Sequence, residues 1–225
     1  MRPRRTRRKV FALITFLGLL PLTPAAQAAA PAGPGVAAGR LGEAGEDLID
    51  VLLASPKSPA SITTEVAKMR SDLAQLRSQA AAGDQEDAVY LADFLLDEAE
   101  RAAASKDLPR AALAVNELTL AITPLQSFRA MKDRDVALLD YLGREVVLLN
   151  RLPGEAGSAT LKARRAAVAA TWKRRRVGFA ANPAARGTVT AMDRCVGQIQ
   201  TGGNAAAQIA AGNRLLELVD ELEKL

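Results

Sequence analysis

Apolar residues recur along most of this chain three and four positions apart, the spacing that lines one face of a helix. No stretch shows the period-two alternation of β-branched and aromatic residues that marks a strand. Breakers cut the helical pattern at lengths suited to hairpins. Ser55-Pro56 and Ser58-Pro59 precede the first long helix, where Ser58 suits an N-cap and Pro59 a first turn. Gly83-Asp84 opens the next, with Asp84, Glu86 and Asp87 complementing the positive end of the helix dipole. Asp107-Leu108-Pro109, Pro153-Gly154 with Gly157, Gly178 to Gly187, and Gly202-Gly203-Asn204 mark later turns. The pattern predicts helices over 42–54, 59–81, 84–105, 108–131, 134–151, 158–177, 187–201 and 204–224.

The predicted fold class is therefore all-α, an antiparallel bundle of about seven to eight helices. The middle admits two versions. Pro124 is the only strong breaker between Ala111 and Leu149, and Ala111, Leu118, Leu125, Leu139 and Val146 share a seven-residue register. Either one long kinked helix is shared by two packed bundles, or the chain turns at Lys132-Asp133-Arg134-Asp135, which would put a sub-boundary near 127–134. Leu95–Leu125 laid on Ala191–Glu221 shows too few identities for a repeat; short loops alone make two such helix pairs similar.

The first 28 residues carry a different signal. A basic start, an apolar run from Val10 to Leu22 and the Ala26-Gln27-Ala28 site form a secretory leader, expected to be cleaved after Ala28. The run is too short for a bilayer-spanning helix of about 20 residues. Thr6-Arg7-Arg8-Lys9-Val10-Phe11 also partly resembles the twin-arginine export motif, although any basic leader yields such pairs by chance. Residues 29–42, rich in Ala, Gly and Pro, are expected to form a flexible tether, leaving 43–225 as the helical domain. The expected location is the periplasm or the exterior.

The leader also accounts for the chain's apparent basicity. Of 30 Lys and Arg residues, six lie in it, so the remainder carries 24 basic against 25 acidic side chains. Nucleic acid is thus not an expected partner; two Tyr, one Trp and five Phe are also too few for a base-stacking platform. Charge is unevenly placed, with thirteen acidic and four basic residues over 43–100 but ten basic and two acidic over 151–194. Two constellations follow. Glu86, Asp93, Asp97 and Glu100 fall within about 60° on a helical wheel, beside Tyr90. Leu91, Leu95, Ala99 and Ala102 lie opposite. Such a stripe could contact a hard cation, but its position opposite the core favours a solvated face. Arg164, Arg165, Lys173, Arg174, Arg175 and Arg176 could contact an anionic partner. Alternatively, acidic and basic parts face each other, within one molecule or across a homodimer.

The absence of histidine removes Ser-His-Asp and Cys-His catalysis and every His-ligated metal. Haem-binding bundles of the cytochrome c′ and b562 types share the expected shape, but C-x-x-C-H and an axial histidine are lacking. Cys195 has no partner for an internal disulfide and lies at the edge of an apolar face with Met192, Val196 and Ile199, as a buried thiol would. Asn116 sits among apolar residues, where a buried hydrogen bond would fix helix register. Met69, Met131 and Met192 suit core packing. No catalytic, cofactor or metal residue is assigned. The expectation is a non-catalytic exported protein that acts through a protein or envelope surface; the alternative is a carrier holding a small molecule or metal between helices.

Overall fold

The computed structural model describes residues 34–53, 59–80, 83–127, 131–155 and 158–225. Among them are eight α-helices and no strand: α1 (Pro34–Leu53), α2 (Pro59–Gln79), α3 (Asp84–Ala104), α4 (Leu108–Ile122), α5 (Met131–Leu149), α6 (Ala159–Ala180), α7 (Arg186–Thr201) and α8 (Ala205–Leu222). The leader, the Ser58 cap and Gly157 lie outside the described residues, as do the side chains of Met131 and Lys132.

The helices form two four-membered rings. In the first, α1 packs on α2 and α4, and α3 packs closely on α4 and more loosely on α2. The second repeats the arrangement with α5 to α8, and the rings meet mainly where α4 lies against α5. Each ring has its own core. Leu41, Leu48, Met69, Leu76, Leu96 and Leu118 fill the first, joined by Leu148 reaching in from α5. Leu139, Leu161, Trp172, Met192, Cys195 and Leu215 belong to the second. Each fully buried leucine contributes about 1.5–3 kcal/mol over its exposed state.

Local sequence explains the corners. Asp107 accepts from the Arg110 N–H at 3.3 Å, Ser158 from Leu161 at 3.0 Å and Asn204 from Ala207 at 2.8 Å, satisfying donors that open helix ends leave unpaired. Between α3 and α4 the chain reverses through Lys106 at φ 65°. There the Asp107 N–H returns to the Ala102 carbonyl and the Lys106 N–H to Ala103, a pattern usually reserved for glycine. A Cβ on Gly212 of α8 would fall 2.6 Å from Val147 Cγ2 and 3.2 Å from the Gly143 carbonyl of α5, so the two backbones cross at close range.

Two expectations change. The chain is already helical from Pro34, so 34–42 is not a tether: Ala37, Ala38 and Leu41 are buried in the first core. Small side chains there let α1 lie close to its neighbours; what resembled linker composition is a packing surface. Nor is there a long central helix. α4 stops at Ile122, a 3-10 turn spans Thr123–Leu125 around Pro124, and α5 already includes Lys132 to Asp135, where the turn was expected. Proline removes the donor that would continue α4.

Candidate functional site

The acidic stripe of α3 faces α2 as well as solvent. Arg70 of α2 reaches across with its whole guanidinium: Nε donates to Glu100 at 2.8 Å, Nη1 to Asp93 at 3.0 Å, and Nη2 to Asp97. Arg77, two turns further along α2, pairs with the other oxygen of Asp93 at 2.8 Å. Three of the four carboxylates thus already have a cation from the protein itself, while Glu86 stays exposed beside Arg77 and Tyr90. The solvated face expected for this stripe is in effect an ionic seam between two helices. Among the described residues no group of three His, Cys, Asp or Glu side chains is arranged to hold a metal ion.

The basic cluster is also largely engaged. Arg174 and Arg175 converge on buried Asp135 of α5, with Arg174 Nη2 at 2.9 Å. Arg176 forks onto Asp193 of α7 at 2.7 and 2.8 Å, and the Trp172 indole N–H donates to the same carboxylate at 2.8 Å. Arg174, together with Arg175, holds the Asp135 carboxyl below its ordinary range; Arg176, aided by the Trp172 indole, does the same to Asp193. Arg164 pairs with buried Glu145 of α5 at 2.6 Å. Arg165 lies against Gly202, its buried Nε without a partner. Lys173 remains exposed and, among the described residues, forms no ion pair. Arg164, Arg174, Arg175 and Arg176 are thus matched one helix away, inside their own ring.

Sequence reasoning missed two features. The first is on α3, where Tyr90, Leu91 and Phe94 are 59, 49 and 55% exposed. Their i, i+1, i+4 spacing gathers them on one face. Leu91, expected on the core side with Leu95, Ala99 and Ala102, is half-exposed, whereas the other three are buried. The second is the seam between the rings. Asn116 of α4 donates to the Tyr141 carbonyl of α5 at 3.2 Å, the buried register bond expected of it. Beside it Arg144 of α5 bonds Glu46 of α1 at 3.1 Å and also pairs with Asp140, one turn back. Burial, reinforced by Glu46, Glu223 and Asp220 against the opposing pull of Arg144, raises the Asp140 carboxyl to about 7. One guanidinium cannot balance so many carboxylates, and the more buried one is the cheapest to protonate. A cavity of about 230 Å³ opens here, bordered by Gly39, Glu43, Thr123 and Asp140.

Cys195 is buried, as expected; its thiol donates to the Ala211 carbonyl at 3.3 Å, and burial pushes it up to about 11, far from a reactive thiolate. Met69 and Met192 lie in the two cores. No helix among the described residues is long and apolar enough to cross a membrane. Compared with known proteins, the chain matches no family model, no curated protein and no solved structure. Function must be argued from its surface.

Proposed function

We propose that this is an exported, non-catalytic binding protein that works through its α3 face. The observation that carries this reading is the grouping of Tyr90, Leu91 and Phe94 on one exposed helical face. The chain has few aromatics, and two of them stand here at the surface. Buried aromatics contribute strongly to cores, so an exposed pair costs the monomer stabilisation that an interface can recover. Tyrosine and tryptophan with a polar tip and an apolar body, and phenylalanine beside them, are what interface centres concentrate. The leader-like first 28 residues support an extracytoplasmic location.

The test has two parts. The amino terminus of the protein recovered from cells should be Ala29, and the protein should fractionate outside the cytoplasm. A photo-crosslinking residue at Leu91 should trap discrete adducts in intact cells, and these should vanish when Tyr90 and Phe94 are also changed to serine. Adducts unaffected by that double change would refute the α3 reading. The carrier alternative has one observation in its favour, the acidic cavity at the seam. Native mass spectrometry of protein purified without denaturation should show only the mass of the chain or its whole multiples if the α3 reading is right, and an added ligand mass if the carrier reading is.

A further inference from the structure

On the opposite ring, α6 and α7 flank a groove of about 450 Å³. Ala166, Ala170, Gly197 and Trp172 line it, together with Lys173, Arg176 and the Asp193 carboxylate that Arg176 pairs with. Small lining residues let another helix approach closely, and with Arg176 matched by Asp193 the uncompensated charge at the groove is that of Lys173. The α3 face has the complementary form: Tyr90, Leu91 and Phe94 stand proud with exposed Glu86 and Asp87 beside them, while Asp97 and Glu98 are already paired to Arg70 and Arg101. The complementarity extends beyond the contact, since residues 34–127 hold fifteen acidic and eight basic side chains and 131–225 hold fifteen basic and ten acidic.

We infer that the Tyr90–Leu91–Phe94 face of one copy docks into the α6–α7 groove of a second copy. Apolar knobs entering an alanine-lined groove supply the attraction, and unlike charges around them fix orientation and speed encounter. Lys173 has the clearest role, because it is the groove's cation without an ion pair among the described residues. Knob and groove are different surfaces, so the contact is heterologous: it closes into a dimer when made reciprocally and otherwise propagates. Two helix faces form a small interface, and association on the order of 10 μM is the scale expected for one.

This inference rests on the α3 reading, and sedimentation velocity of the purified protein over about 1–200 μM tests it separately. The wild type should self-associate, more weakly at high salt. Tyr90→Ser with Phe94→Ser should weaken association at least about tenfold, and so should Ala170→Trp, which fills the groove. Lys173→Glu changes the same groove without added bulk and should act alike. Circular dichroism checks that each variant is folded. The decisive sample mixes the knob variant with the groove variant: each keeps one intact surface, so the mixture should form a mixed complex that neither forms alone. A wild type that stays monomeric, variants that associate like it, or a mixture that fails to pair would each overturn the inference. A monomer that still crosslinks to another protein through Leu91 would overturn docking between copies and leave the α3 reading standing.

Discussion

Replacing Asp140 with asparagine should flatten the dependence of stability on pH between 5 and 8. In the folded protein burial, with Glu46, Glu223 and Asp220, lifts this carboxyl from 3.8 to about 7 against the pull of Arg144. The fold therefore favours the protonated form. Its stabilising contribution is complete below about pH 3.8 and is lost as pH rises through 7. The full shift corresponds to about 4 kcal/mol at 1.36 kcal/mol per unit, and the part lying above pH 5 to about 3 kcal/mol. Coupling among the carboxylates broadens the transition, since they titrate as a group around one guanidinium. Asparagine cannot titrate, and Arg144 keeps Glu46 as its partner. Urea denaturation of both proteins at pH 5, 6, 7 and 8 reads the difference. The wild type should lose about 3 kcal/mol more than the variant across that range. Asp135 and Asp193 do not interfere, because their lowered carboxyls give a contribution that disappears only as pH falls below about 3.8. Parallel stability curves for the two proteins would refute the reasoning.

Other perturbations address single features. Lys106→Gly relieves a left-handed backbone position and should stabilise by about 1 kcal/mol, read from the denaturation midpoint. Gly212→Ala places a methyl against Val147 and the Gly143 carbonyl and should cost about 1–3 kcal/mol, with loss of the second ring's cooperative melting. Arg70→Ala leaves Asp93, Asp97 and Glu100 without their shared cation. It should destabilise by about 1 kcal/mol in low salt and less at 1 M, since these groups are partly exposed and screened.

Helix positions were legible where the chain carries its own punctuation. Asp107-Leu108-Pro109 and Gly202-Gly203-Asn204 fall at the α3–α4 and α7–α8 corners because capping is a local transaction between residues three apart. Residues 34–42 were misjudged because Gly and Ala serve both flexible linkers and close helix packing, and composition alone does not separate the two. The acidic stripe was drawn correctly on its own helix, yet its cation, Arg70, lies 23 to 30 residues away on another. A helical wheel shows one element's faces and not what meets them. The same limit hid the exposed α3 face: a wheel placed Leu91 with the core, whereas the reach of the neighbouring helices decides where burial ends. Asp140 and Arg144 did leave a signal, as two charges one turn apart on a helix whose neighbours Leu139, Leu142 and Val146 are buried.

Leu148 belongs to the second ring by sequence and to the first core by position. A chain that appears amino end first can therefore assemble α1 to α4 early, from contacts between neighbouring helices, but holds a leucine-sized void until α5 arrives. Such a void costs about 2–5 kcal/mol. The first ring should accordingly be a transient, protease-sensitive species until the 26 residues that follow Ile122 through Leu148 are available, and its completion should lock the order in which the halves mature.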